Sequence, residues 1–261
     1  VGGTREIIED GVSGILVKEK NVALAYVPAY GTHTVAEFAF ALLLEISRKI
    51  YPAYVRLKND KKVDSLASEG FDLHGKVFGV VGTGKIGKNA ARLGKAFGME
   101  VVLFDVMQDQ AFATEIGAPY MPLEELVAKV DVISIHVPLL PTTQHLFNDS
   151  IFAKCKRGAI LINTSRGVVV DTKALVEALS SGQIGAAGLD VFEGEKEIFG
   201  ADAGKAALSP EASAAQALLS MPNVILTPHI AYDTAEAKLD IQKTALDNIS
   251  VFSAGTPKNI V

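Results

Sequence analysis

Six short runs rich in Val and Ile recur along the chain, at Val77–Gly82, Glu100–Asp105, Asp131–Val137, Ala159–Ser165, Ala186–Phe192 and Asn223–His229. Most lack the polar alternation of a half-solvated strand, so they read as strands buried on both faces. Helical spacing fills the gaps. Lys85–Phe97 places Ile86, Ala90, Leu93 and Phe97 on one face, and Pro122–Val130, Asp149–Cys155 and Asp171–Leu179 follow, the last with Asp171 as N-cap. This alternation predicts an α/β fold, a doubly wound parallel (Rossmann-type) sheet with helices on both faces. The crossover Glu193–Pro222, rich in Ala, Gly and Ser, breaks the rhythm and reads as loop with a short helix at Glu211–Leu219. Two long helices flank the sheet. Thr34–Ile50 is apolar on most faces and is expected between domains or subunits. Thr234–Phe252 carries Leu239, Ile241, Leu246, Ile249 and Phe252, with Asp233 as a cap. Segment 51–75 is polar and reads as a linker, its Lys58, Lys61 and Lys62 forming a solvated face.

Composition narrows the class. At 261 residues, 49% hydrophobic and 21% charged, the chain is long enough for one large domain or two small ones, and is neither disordered nor collagen-like. The single cysteine, Cys155, excludes an intramolecular disulfide framework and a thiolate-rich metal cluster. It fits a reducing compartment, and a cytoplasmic location is expected. A formal charge of −5 argues against a nucleic-acid or anionic-membrane surface. The apolar stretch Phe38–Leu44 is too short to span a bilayer, and no basic-then-apolar leader follows Val1. No His-Glu-x-x-His and no Asp-rich calcium loop is present, so no metal is expected. The wide apolar surface of Thr34–Ile50 predicts a homodimer.

The sharpest local signal is Gly82-Thr83-Gly84-Lys85-Ile86-Gly87, a Gly-x-Gly-x-x-Gly directly after a strand and opening a helix. Gly82 permits the tight turn, Gly84 lets the backbone approach a pyrophosphate, and Gly87 lets helix and strand pack closely. The helix N-terminus offers unpaired N–H groups to phosphates, Lys85 and Ile86 lying in its first turn. Asp105, ending the next strand, can accept hydrogen bonds from an adenosine ribose, which favours NAD over NADP because a 2′-phosphate would be repelled.

In such sheets ligands bind beyond the carboxyl ends of the strands. The polar residues there are His136, Asn163-Thr164-Ser165-Arg166, Asp190, Glu195 and Thr227-Pro228-His229. An Arg, a Glu and a His at one crevice suit a 2-oxo or 2-hydroxy acid. Arg166 can clamp a carboxylate with two parallel hydrogen bonds and polarise the adjacent carbonyl. His229 can move a proton to or from the alcohol oxygen, and Glu195 would raise its pKa. Singly, each has a plainer role, as a surface ion pair or a turn histidine; His33, His74, His136, His145 and Cys155 carry no catalytic pattern.

These stretches resemble the D-isomer-specific 2-hydroxyacid dehydrogenases across nearly all of Lys18–Val261. The matching runs are Val27–Glu37, Gly82–Gly87, Ser134–Leu139, Leu161–Gly167, Gly188–Glu195 and Leu226–Ala231. Within the family the chain is most similar to the D-lactate dehydrogenases, on its Val-Pro-Ala-Tyr stretch and its Asp-Val-Phe-Glu-Gly-Glu run. The resemblance implies that Arg166 binds substrate, that His229 is the acid/base and that Glu195 tunes it. It further implies that Asp190 holds the nicotinamide amide, that Val137, Pro138, Thr143 and Thr164 line the cofactor site, and that Tyr30 lies near substrate unless it is a core residue. The expected activity is NAD-dependent interconversion of D-lactate and pyruvate. An NAD(H)-binding, corepressor-like interaction module and an inactive truncated chain stay open beside it, as does a related enzyme acting on a phosphorylated or branched-chain acid.

The expected domains are a substrate-domain remnant at 1–30, an NAD-binding domain with its entry helix at 31–232, and a returning helix at 233–261. The resemblance implies a larger half-domain upstream of Lys18 than the chain carries, and the family's Arg-x-x-Gly loop is not located. Residues Val1–Val17 are instead similar to a segment of retaining GT-B glycosyltransferases, in which the position of Glu6 touches the sugar nucleotide. A glycosyl-transfer role for Glu6 is not expected.

Overall fold

The structure is a computed structural model that describes residues 25–27, 30–61, 69–199 and 207–260. The glycosyltransferase-like run 1–17 with its Glu6, Lys62, and Pro28 and Ala29 of the Val27–Glu37 match lie outside the described residues.

Two compact units are formed, one by Val35–Ala231 and the other by Val1–Thr34 with Tyr232–Val261. The larger unit is built on a six-stranded, all-parallel sheet of β1 (Val77–Val81), β2 (Glu100–Phe104), β3 (Val132–Ile135), β4 (Ala159–Asn163), β5 (Ile184–Leu189) and β6 (Val224–Leu226), in the order β2-β1-β3-β4-β5-β6. The chain leaves β1 toward one edge and returns on its other side at β3, which makes the topological switch point where open α/β sheets bind ligands.

Its helices are α1 (Thr32–Arg48), α2 (Ile50–Asp60), α3 (Lys85–Ala96), α4 (Gln110–Ile116), α5 (Leu123–Lys129), α6 (Asp149–Phe152), α7 (Thr172–Ser180), α8 (Glu195–Phe199) and α9 (Pro210–Leu218), with a 3-10 turn at Gly167–Val169. Alternate strand residues serve opposite faces, as the two-residue period of a strand requires. Phe78, Val80, Val101, Leu103 and Ile162 meet α1, α3 and α4 on one side. Val81, Ile133, Ile135, Leu161 and Leu189 meet α5, α6, α7 and α9 on the other.

Helix α1 buries Ala36, Ala39, Phe40, Leu42 and Leu43 in the first of these cores, at about 1.5–3 kcal/mol for each large side chain. This packing accounts for the buried face of α1 within one chain, while Phe38, Leu44 and Ile46 are only partly covered and Ala41 is exposed. The expected linker 51–75 begins as a helix instead. Lys49, in the left-handed region at φ 50°, separates α1 from α2, and Pro52 falls in the first turn of α2, where its missing N–H costs nothing. Glu45 Oε1 accepts from the Tyr51 N–H at 2.9 Å, which satisfies one of the free donors of that turn. Helix α4 was likewise absent from the expected pattern, although Asp109 caps it by accepting from Phe112 N and Gly117 closes it.

In the smaller unit, α10 (Ala235–Ser253) is capped by Thr234, whose side chain accepts from Ala237 N. The Asn248 amide donates to Tyr26 O at 3.0 Å and its Oδ1 accepts from Asn259 at 2.8 Å, tying the helix to the chain's two flanking segments. Leu239, Leu246, Ile249 and Phe252 of α10 are exposed. No described helix is long and apolar enough to cross a membrane.

Phe104, Val81, Ile135, Asn163, Leu189 and Leu226 are Cα partners in a single row across the sheet. The next residue of each strand, namely Asp105, Gly82, His136, Thr164, Asp190 and Thr227, therefore leaves the sheet along one edge.

Candidate active site

Gly82 opens the turn after β1 at φ +96°, a conformation that side chains avoid. A Cβ at Gly87 would lie 1.9 Å from the Gly82 carbonyl oxygen, so only glycine lets α3 approach the strand this closely. A Cβ at Gly84 would meet open space. Gly84 is the N-cap of α3 and makes no side-chain cap, leaving the first N–H groups of that helix to a ligand. Lys85 is exposed at the helix start, whereas Ile86 packs its side chain against the α1-side core and offers the loop its backbone.

Asp105 is held in place by the loop itself. Its Oδ2 accepts from Thr83 N at 2.6 Å and Thr83 Oγ1 at 3.1 Å, and its Oδ1 accepts from Met107 N at 2.9 Å. Thr83 Oγ1 also meets the Tyr120 hydroxyl at 2.8 Å, so a buried threonine and a tyrosine missed in the sequence support the acid. Cradle and carboxylate together fit a dinucleotide, with phosphates at the α3 N-terminus and a ribose at Asp105.

On the β3 side, Val137 Cγ1 lies 2.9 Å from where a Gly82 Cβ would stand. Thr143 Oγ1 donates to Pro138 O at 2.6 Å and accepts from Leu140 N at 2.8 Å, which closes the loop between them. Thr164 is buried, and its Oγ1 has no hydrogen-bond partner among the described residues. An orphaned hydroxyl at the ligand-binding edge is what a site for a polar cofactor would leave. His136 Nε2 meets Ser134 Oγ at 2.8 Å, while Nδ1 is shut off from solvent without a partner among the described residues. Burial pushes this imidazole down to about 4, so it stays neutral near pH 7 and supplies no proton there.

The expected catalytic residues stand farther along the same edge. Asn163, at the end of β4, shapes the Arg166 loop: its Oδ1 accepts from Ser165 N and Oγ at 3.0 and 2.7 Å, and its amide donates to Arg166 O at 3.0 Å. The Asn-x-Ser pattern is a turn signal that could have been read in the sequence. Arg166 Nη1 donates to Ser165 O at 2.7 Å. His229 sits at φ 56°, a strained setting for a residue with a side chain. Its N–H donates to Asp190 O at 3.0 Å, and its Nδ1 meets Glu195 Oε1 at 2.9 Å. The His229 pKa is raised, chiefly by the hydrogen bond to Glu195; the Glu195 and Asp190 charges add to this, and desolvation and the Arg166 charge oppose it. A cavity of about 180 Å³ opens beside this pair, lined by Glu195, Lys196, Phe199, Pro228 and His229.

Asp190 has a function the sequence did not show. It is almost fully buried, and its carboxylate accepts from Thr227 Oγ1 at 2.6 Å, Ile230 N at 2.9 Å and Ala231 N at 2.8 Å. The group implied to hold the nicotinamide amide thus also fixes the turn that carries His229. Tyr30 belongs to the smaller unit, where its ring meets Tyr232 edge-on at 6.2 Å.

A dinucleotide cradle and a Glu-supported histidine on one edge of a doubly wound sheet define a nucleotide-dependent oxidoreductase. Comparison with known proteins makes the class specific. The profile of the D-isomer specific 2-hydroxyacid dehydrogenase NAD binding domain matches residues 40–231. A 2-hydroxyacid dehydrogenase homolog of Schizosaccharomyces pombe is 40% identical over 235 residues, covering 90% of this chain and 70% of that protein. The D-lactate dehydrogenase of Escherichia coli is 38% identical over 238 residues, covering 91% and 71%. The crystal structure of Aquifex aeolicus D-lactate dehydrogenase complexed with NAD and lactic acid superposes with a TM-score of 0.85 at 34% identity, covering 92% and 72%. The chain belongs to the D-isomer-specific 2-hydroxyacid dehydrogenase family and is an NAD-dependent oxidoreductase.

Proposed function

We propose that the protein interconverts D-lactate and pyruvate, with Arg166, Glu195 and His229 as its catalytic residues. NAD, when bound, takes up or delivers the hydride. Residues of the glycine loop, Gly82, Gly84, Lys85, Ile86 and Gly87, hold its phosphates, and Asp105 holds its ribose. Val137, Pro138, Thr143, Thr164 and Asp190 border the remainder. Arg166 pairs with the substrate carboxylate and polarises the neighbouring carbonyl. His229, held as imidazolium by Glu195, gives its Nε2 proton to the carbonyl oxygen during reduction and takes it back during oxidation. In this reading residues 31–232 are the NAD-binding domain, and 1–30 and 233–261 belong to the substrate domain.

The observation that carries the proposal is the His229–Glu195 pair, 2.9 Å apart beside a small cavity. The test is NADH oxidation followed with pyruvate, glyoxylate, hydroxypyruvate and branched 2-oxo acids, compared by kcat/KM. Pyruvate is expected to lead, and His229→Gln is expected to lose about 10²–10⁴-fold in kcat. Equal rates for wild type and H229Q would overturn the mechanism, and a branched acid turning over better than pyruvate would overturn the substrate.

A further inference from the structure

Glu193 stands two residues before Glu195 in the connection from β5 to α8, and it is buried with 8% of its surface exposed. A carboxylate taken out of water needs hydrogen-bond donors. Glu193 has two, since Oε1 meets His145 Nε2 at 2.7 Å and Oε2 accepts from Thr172 N at 2.9 Å. The second donor is one of the free N–H groups at the start of α7. Asp171 caps that helix through Lys173 N and Ala174 N and leaves Thr172 N to Glu193.

The partner histidine belongs to the loop after β3 and adopts φ 47°. His145 N donates to Val168 O at 2.9 Å and Phe147 N to Val169 O at 3.1 Å, which stitches this loop to the segment just beyond Arg166. Asp171 Oδ2 faces the other ring nitrogen at 3.8 Å. From the opposite side, a Cβ at Gly167 would lie 2.3 Å from the Phe192 carbonyl carbon and 2.8 Å from Glu193 N. The backbone next to Arg166 therefore rests directly on the backbone of the Glu193 connection. Helix α8, which begins with Glu195, buries none of its own residues; Glu197 anchors it by accepting from Ser209 N and Oγ at 2.7 and 2.8 Å, and the Glu193 connection leads directly into its first residue.

We propose that Glu193 and His145 form a positioning brace that holds Glu195 against His229 and ties both to the Arg166 loop and the Pro138–Thr143 loop. Neither residue touches the reacting atoms in this arrangement. The brace rests on the functional reading above, in which Glu195 and His229 act together. Among the described residues, the charged groups around His229 besides Glu195 include Asp190 and Arg166, with Lys196 on the shared cavity wall. Loosening the brace acts chiefly on the Glu195 contribution, the largest of these, while any retreat of Arg166 works in the opposite direction.

The experiment titrates the histidines of the full chain by heteronuclear NMR, with the His229 signal identified by its loss in H229Q. In Glu193→Ala and His145→Ala the His229 pKa is expected to fall from its raised wild-type value. The kcat/KM for the 2-oxo acid should fall on the order of 10- to 100-fold, the scale of a misplaced catalytic group. Glu193→Gln, which keeps an acceptor for one of the two donors, should recover part of both effects. A folded E193A whose His229 titrates as in wild type and whose kcat/KM is within about twofold overturns the brace. Should E193A not fold, H145A decides by the same two readings, since the His145 ring is half-exposed. A wild type that turns over no 2-oxo acid refutes the functional reading, and the NMR titration still decides the brace.

Discussion

Replacing Asp190 by Asn removes the charge from a buried acceptor that serves three donors, Thr227 Oγ1, Ile230 N and Ala231 N. In the less costly amide orientation Nδ2 replaces Oδ2, so the Ala231 N–H faces another donor while the other two bonds weaken with the lost charge. Hydrogen bonds to charged groups contribute about 1.5–3 kcal/mol each, which sets the expected loss of stability at roughly 2–4 kcal/mol. With a urea dependence of roughly 2–3 kcal/mol/M, the unfolding midpoint should fall by about 1 M. The chain has no Trp, so far-ultraviolet circular dichroism is the signal to follow. The same turn holds His229 at φ 56°, and its displacement should lower kcat on the order of 10²-fold. If D190N unfolds at the wild-type urea concentration and only binds NADH more weakly, the carboxylate serves the cofactor rather than the turn, and the reasoning fails.

Glu195→Gln should move the pH dependence of reduction. Glu195 raises the His229 pKa, so the imidazolium and the stability linked to it are fully present below the ordinary value of 6.5 and are lost as pH rises through the raised value. Without that carboxylate the alkaline loss of kcat/KM should begin at lower pH; an unchanged profile would show that another group sets it. Gly87→Ala should abolish NADH binding, because its Cβ would stand 1.9 Å from the Gly82 oxygen; fluorescence titration giving a wild-type Kd would refute the close packing. Cys155 is buried and its thiol is pushed up to about 12. Labelling by a thiol reagent should therefore follow unfolding, and rapid labelling of the native protein would contradict its burial.

The strands and the glycine loop were readable because their signals are local. Val77–Val81 is an apolar run, and Gly82, Gly84 and Gly87 each answer a backbone requirement within a few residues of itself. The errors were local in origin too. The polarity of 51–75 reads as a linker although Pro52 suits a helix start, and α4 lies between two recognisable strands with Asp109 and Gly117 as its end signals. Which side of α1 meets the sheet is not readable from its apolar pattern, and only the packing shows that Phe40 and Leu43 face it.

The residue types at the site, Arg166, Glu195 and His229, and their places at strand ends, are properties of the sequence, as is the family to which it is similar. Their mutual arrangement comes from register. Because Val81, Ile135, Asn163, Leu189 and Leu226 pair in one row, residues far apart in the chain emerge on one edge. Hydrogen-bond partners across such distances have no signature in sequence, since any buried acid accepts any donor the fold delivers. Asp190 under the His229 turn and Glu193 between His145 and Thr172 are therefore visible only once the chain has folded.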